Sequence, residues 1–207
     1  MFYPSNRRPV PLQYSHHPVT VAGKTAVVIG GTSGIGRAIA LGFAEEGADV
    51  VATSRTPEKV ERTAEELRER GAETLEITCD VTERNSVEQL RDETFESFGD
   101  VDILVNSPSY IARTTVEDAT EAEWTDVFDV QLRGTFRATQ LFARRMDSGS
   151  ILNISSASTA SAIPNLAAYS TAKGGIDAFT RVAAEEFGPE IRVNAIRPGF
   201  VVTEQTK

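Results

Sequence analysis

The chain has 207 residues, 40% hydrophobic and 25% charged, which suits one domain with a sizeable core. A net charge of −9 and a pI near 4.8 argue against a nucleic-acid partner, because phosphate contacts need a basic face. No apolar run is long enough for a membrane span, and the single cysteine, Cys79, excludes an internal disulfide and fits a reducing cytoplasm.

Residues 1–20 are polar, with Arg7, Arg8 and His16-His17, and lack the apolar core of a signal peptide. They read as a flexible extension before a single domain over 21–207. Only four of the 21 basic residues are lysines: Lys24, Lys59, Lys173 and Lys207. Acidic excess with few lysines resembles proteins from salt-loving organisms, the alternative being a GC-rich genome that favours arginine.

Ala26–Ile29 is an apolar run that predicts a buried parallel strand. Glycines at 30, 31, 34 and 36 follow, and then Ile35, Ile39 and Phe43 recur at helical spacing. Strand, glycine turn and helix together predict a nucleotide site. There the backbone comes close to a pyrophosphate, and free N–H groups at the positive end of the helix bind it. The candidate contacts are Gly30, Thr32, Ser33, Gly34, Ile35 and Gly36. Helix 34–46 ends at Gly47 and strand 49–54 follows. Pro57 opens a helix to Arg70, stopped by Gly71. Strand 74–78, closed by Cys79 in a packing role, precedes helix 83–98, and strand 101–105 leads to Asn106-Ser-Pro-Ser-Tyr110. A long helix fits 121–145. Strand 150–154 ends in Ser155-Ser156, helix 167–187 follows, and strand 191–195 leads to Arg197-Pro198-Gly199. Six strands alternating with helices predict an α/β, doubly wound parallel sheet of three layers, a Rossmann fold of order 3-2-1-4-5-6. Its crevice lies at the carboxyl ends of the strands.

The second strand ends in Thr53-Ser54-Arg55, with no acid. A carboxylate there would repel a 2′-phosphate, whereas a guanidinium binds one, so NADP(H) is favoured over NAD(H), with Ser54 and Arg55 as contacts. Asp80 and Val81, after the third strand, are placed for the adenine. Tyr169 and Lys173, four apart, share a helix face. An ammonium about 4 Å from a phenol contributes roughly 4 kcal/mol at an effective dielectric near 20, enough to bring the phenol toward neutrality as a proton donor. Ser156 is placed to hold a carbonyl oxygen beside it. No His, Cys, Asp and Glu cluster has metal-ligand spacing.

These motifs together resemble the short-chain dehydrogenase/reductase family, from about Val21 to Thr203. The resemblance rests on Gly30-xxx-Gly34-x-Gly36, Asp80-Val81, Asn106, Ser156, Tyr169-xxx-Lys173, and Pro198-Gly199 with Thr203. It implies hydride transfer between a nicotinamide and a carbonyl or alcohol. Tyr169 would be the acid/base. Lys173 would lower its pKa and bind the ribose, and Ser156 would orient the substrate. Asn106, Pro198, Gly199 and Thr203 would lie along the cofactor. It further implies a homodimer or homotetramer through helices 121–145 and 167–187, with Phe128, Leu132, Phe136, Phe179 and Val182 as candidate contacts. The chain departs from the pattern at Ile29 (threonine in the family), at Ser107-Pro108-Ser109 (Asn-Ala-Gly) and at Gln131, which replaces the asparagine that helps hold a proton-relay water. Family members usually continue for some 40 to 50 residues past Lys207, with a substrate lid and a seventh strand. The alternative expectation is therefore a dinucleotide-binding protein with little or no turnover. An interaction module that has lost both functions is the third.

Overall fold

A computed structural model describes residues 20–203; all but the last residue of the extension over 1–20, its histidines included, lie outside the described residues. Five strands alternate with helices: β1 Thr25–Ile29, α1 Gly34–Glu45, β2 Asp49–Thr53, α2 Pro57–Arg68, α3 Arg84–Phe98, β3 Ile103–Asn106, α4 Glu121–Phe128, α5 Gly134–Ala143, β4 Gly149–Ile154, α6 Ala167–Phe187 and β5 Ile191–Ile196. All pair in parallel, in the order β2-β1-β3-β4-β5. Alternate residues of β1 serve opposite faces, as the pleat requires. Val27 and Ile29 join the core under α3, α5 and α6. Ala26 and Val28 join the core under α1 and α2, where small residues such as Ala40 and Ala44 let helix and sheet approach closely. No helix among the described residues is long and apolar enough to cross a membrane.

The sixth strand expected over 74–78 does not form. That segment runs beside β2, but the backbone bonds joining it lie at its two ends, from Val50 N–H to the Glu73 carbonyl and from Cys79 N–H to the Ser54 carbonyl. Between them the Thr53 hydroxyl donates to the Ile77 carbonyl, so a side chain takes a position that a ladder would give to the backbone. The pattern of sequence was right about burial: Ile77 and Cys79 are in the core, and burial pushes the Cys79 thiol up to about 12, as befits a packing residue.

The helix expected as one piece over 121–145 is interrupted. A capping box between Thr120 and Glu123 starts α4. A π turn over Asp129–Arg133 then inserts a residue before α5. Gln131 sits in that turn and is fully buried. Gly134 follows where any Cβ would lie 2.7 Å from Val81 Cγ2, so this glycine lets α5 settle on the turn after Asp80.

The switch in strand order falls between the neighbouring parallel strands β1 and β3, from which the chain builds outward to β2 at one edge and through β4 to β5 at the other. The carboxyl ends of all five strands therefore open on one crevice, where this topology binds ligands.

Candidate active site

The glycine turn is shaped by close backbone approaches. Gly30 has φ +75° and Gly34 φ +51°, left-handed values that favour glycine. A Cβ on Gly30 would overlap the Ser107 carbonyl, and one on Gly36 would overlap the Gly30 carbonyl. Ser33 is the N-cap of α1 yet makes no side-chain cap bond, so its hydroxyl and the first N–H groups of α1 stay available to an anion. Thr32 is buried at 2% exposure, while Ile35 is half-buried. Ile29, where the family pattern has threonine, packs in the core. The Ser107-Pro108-Ser109 variant is accommodated without left-handed backbone. Among the described residues the one non-glycine with positive φ is Asn165, whose carbonyl accepts from Thr114 N–H at 3.1 Å and ties the loop after β3 to the start of α6.

A cavity of about 870 Å³ opens beside this turn. It is lined by Thr32–Ile35, by Pro198 and Val201–Thr203, and by the charged groups Arg37, Lys59, Arg62 and Glu66. Glu66 is held by Arg37, whose Nε donates at 2.9 Å. Sequence reasoning missed these α1 and α2 cations, which lie outside any motif. Arg55 is exposed and stands 4.0 Å from Asp80 Oδ2. Ser54 accepts weakly from Thr56 N–H at 3.5 Å. Asp80 Oδ1 accepts both the N–H and the hydroxyl of Thr82, a local turn that leaves Oδ2 toward Arg55. Arg137, also missed, donates to the carbonyls of Val81 and Thr82 and so fixes the floor beside Asp80.

Asn106 is not in the cleft. It is 1% exposed, and its Nδ2 donates to Thr139 Oγ1 at 3.1 Å and Asn153 Oδ1 at 2.9 Å. Asn153 donates in turn to Thr180 Oγ1 at 2.9 Å. This buried polar chain braces β3 and β4 to α5 and α6 under the site. Gln131 turns its Nε2 to the Tyr110 carbonyl at 2.9 Å, and its own carbonyl accepts from Thr135. The long amide thus holds the loop after β3, and its Oε1 is buried with no hydrogen bond.

Ser156, Tyr169 and Lys173 do come together. Ser156 caps a short 3-10 turn over Ala157–Thr159, its Oγ accepting from Ser158 N–H, and its hydroxyl lies beside the Tyr169 hydroxyl. Lys173 is 3% exposed; its Nζ donates to the Ile154 carbonyl at 2.6 Å and lies 5.6 Å from the centre of the Tyr169 ring. The electrostatics differ from the sequence expectation. Burial raises the Tyr169 phenol above its ordinary value, and the neighbouring Ser156 hydroxyl only partly opposes this. Burial also lowers Lys173, to about 7, against the charge of Asp177. An ammonium turned to a main-chain carbonyl and only partly charged at neutrality does not pull the phenol down. Pro198 and Gly199 follow β5, with the Pro198 carbonyl accepting from Ala157 N–H at 3.0 Å. Thr203 reaches the glycine turn, its Cγ2 3.4 Å from where a Cβ on Gly34 would lie. No His, Cys, Asp and Glu group that could hold a metal occurs among the described residues.

The residues fit a dinucleotide. The turn leaves no room for a Cβ at Gly30, Gly31 or Gly36 yet is open in front, its serine hydroxyl is uncommitted, and cations flank the cavity. Comparison with known proteins agrees. The family model described as short chain dehydrogenase matches residues 24–207. The 3-oxoacyl-[acyl-carrier-protein] reductase FabG of Staphylococcus epidermidis is 36% identical over 188 residues, covering 88% of this chain and 77% of that protein. A dehydrogenase/reductase from Sinorhizobium meliloti 1021 superposes with a TM-score of 0.87 at 34% identity, covering 90% of this chain and 76% of the other. An NAD+-bound xylitol dehydrogenase superposes with 0.84 at 35% identity, covering 86% and 71%. The chain therefore belongs to the short chain dehydrogenase family, whose members bind a nicotinamide dinucleotide and act on CH–OH or C=O groups.

Proposed function

We propose that this protein is an NADP(H)-dependent oxidoreductase that reduces a carbonyl, or oxidises the alcohol, with Tyr169 as acid/base. The observation that carries the reading is the convergence of Ser156, Tyr169 and Lys173 at the carboxyl end of β4, beside the glycine turn. A nicotinamide bound in the crevice supplies or accepts the hydride. The chain's own groups do the rest. The Tyr169 hydroxyl donates its proton to the substrate oxygen, and Ser156, whose hydroxyl lies beside it, holds the same oxygen. Lys173 holds the ribose and stabilises the phenolate left behind. That stabilisation requires Nζ to leave the Ile154 carbonyl or share itself between the two. Gly30, Thr32, Ser33, Gly34, Ile35 and Gly36 hold the pyrophosphate. Ser54, Arg55, Asp80 and Val81 hold the adenosine, and Pro198, Gly199 and Thr203 flank the nicotinamide. Preference for the 2′-phosphate is supported by the absence of an acid at the end of β2, by Arg55 just after it, and by Lys59 and Arg62 in the lining of the cavity.

The site is tested by titrating the protein with NADPH and NADH, following nicotinamide fluorescence, then adding a ketone panel. NADPH is expected to bind more tightly and to be oxidised when ketone is added. Tyr169→Phe should keep binding and lose turnover by about 10²- to 10⁴-fold. Tighter NADH binding would overturn the cofactor assignment, and binding without oxidation would favour a non-catalytic nucleotide binder. Self-association is part of the same reading. Of the five apolar candidates, Phe128, Leu132 and Phe179 pack against their own core, whereas Phe136 and Val182 are 41% and 55% exposed. Phe136 meets Phe179 edge-on at 5.8 Å, and light scattering of Phe136→Glu against wild type tests whether this α5–α6 face pairs two copies.

A further inference from the structure

Asp177 lies one turn beyond Lys173 on α6, and the reaction proposed above gives it no direct part. It is 7% exposed, and a buried carboxylate costs free energy unless paired. Its Oδ2 accepts a hydrogen bond from Nε of Arg197 at 2.9 Å, and Nη2 of the same guanidinium lies 2.9 Å from that oxygen in the ion pair. Its Oδ1 is buried without a hydrogen bond of normal geometry, with the Ser155 and Thr159 hydroxyls beside it. Burial pushes the Asp177 carboxyl up, but those hydroxyls and Arg197 outweigh it and hold it below its ordinary value.

The partners belong to three different segments. Arg197 immediately precedes Pro198. Ser155 precedes Ser156, and its N–H donates to the Ile196 carbonyl at 2.8 Å. The Thr159 hydroxyl donates to the Ser156 carbonyl at 3.0 Å. Main-chain bonds from Ser155 and Ala157 thus grip the chain on both sides of Arg197, while its side chain reaches α6. We propose that the Asp177–Arg197 pair is the positioning element that fixes the Ser156 turn, the Tyr169–Lys173 face of α6 and Pro198–Gly199 relative to one another. This rests on the functional reading above. A directed Nε hydrogen bond together with a second guanidinium nitrogen at ion-pair distance sets both distance and direction, and a site held by supporting contacts loses function when they loosen.

Few other charges bear on Lys173. On α6 there are Tyr169 and Asp177. β4 offers the Ile154 carbonyl, and the end of β5 offers Arg197. The π turn carries neutral Gln131 and Asp129, the latter paired with Arg133. On α4, Glu121 and Asp126 are exposed and Glu123 is bonded to Thr120. On α5, Arg137 is committed to carbonyls.

The experiment titrates wild type, Asp177→Asn, Arg197→Met and Arg197→Lys with NADPH and with adenosine 2′,5′-bisphosphate, which lacks the nicotinamide half. Asp177→Asn and Arg197→Met are expected to weaken NADPH about tenfold and the bisphosphate less than about twofold, within the range of mutational coupling energies. Arg197→Lys, which keeps the charge but not the two-nitrogen contact, should fall between. In turnover, the high-pH limb of kcat should move to lower pH in Asp177→Asn and to higher pH in Arg197→Met, since the carboxylate supports charge on Lys173 and the guanidinium opposes it. Equal weakening of both nucleotides, or no change in either, would overturn the proposal while leaving the functional reading intact. A wild type that binds neither nucleotide would overturn both. If Asp177→Asn does not fold, the two Arg197 variants, on a half-exposed side chain, carry the same comparison.

Discussion

Lys173 buries its ammonium against one carbonyl oxygen, and the consequence reaches the stability of the whole fold. Its folded pKa is about 7, against an ordinary 10.5. Between those values the unfolded chain binds a proton that the folded chain does not. The sign follows from linkage: this group's contribution to stability rises with pH across that window and is lost as pH falls through it. The limiting slope for one proton is about 1.4 kcal/mol per pH unit. Below about pH 7 both states are protonated and the contribution is flat. Lys173→Met removes the slope, so wild type should gain stability relative to the variant between pH 7 and pH 9 in urea unfolding. An unchanged difference would mean that Lys173 titrates as an exposed lysine. The raised Tyr169 acts in the opposite sense, but only near and above its ordinary value of 10, which is why the comparison stops at pH 9.

At the scale of elements, the turn between β1 and α1 separates glycines that are needed from one that is not. A Cβ at Gly36 would overlap a backbone carbonyl, whereas one at Gly42, within α1, would meet nothing within 4 Å. Gly36→Ala should therefore cost about 1–3 kcal/mol through overpacking and abolish dinucleotide binding. Gly42→Ala should gain about 0.5–1 kcal/mol from helix propensity and leave binding unchanged. Thermal melts with and without NADPH check both, and equal effects of the two changes would remove the turn's special role. The glycine turn was legible in sequence because its function depends on residue type at fixed spacing. The π turn was not, since one extra residue between Phe128 and Gly134 leaves the run of apolar positions nearly undisturbed. The missing strand over 74–78 was misread for a related reason. Alternation reports which side chains are buried, and Ile77 and Cys79 are, but it does not report whether the backbone or Thr53 makes the bond. Asp177 and Arg197, twenty residues apart on different elements, carry no local pattern at all. Asn106 was legible as important, but its task in the structure is to brace strands rather than to face the crevice.

Across the whole molecule, charge sets the dependence on solvent. The chain carries 30 acidic residues against 21 lysines and arginines. Of the ten ion pairs among the described residues, only that of Asp177 has a carboxylate less than a tenth exposed. The other nine are surface pairs, each worth about 0–1 kcal/mol. Screening them therefore removes little. The excess of carboxylates repels over longer distances, and this repulsion is shortened when the Debye length falls from about 10 Å at 0.1 M salt to about 3 Å at 1 M. The balance favours salt, so Tm should rise between 0.1 M and 1 M NaCl, with no comparable rise in a variant whose exposed Glu65, Glu69, Glu96 and Glu185 are changed to glutamine. KCl should match NaCl, because screening depends on ionic strength and not on a bound ion. A fall in Tm with salt would mean that the surface pairs outweigh the net repulsion, and a rise confined to one cation would point to a specific site instead of the overall charge.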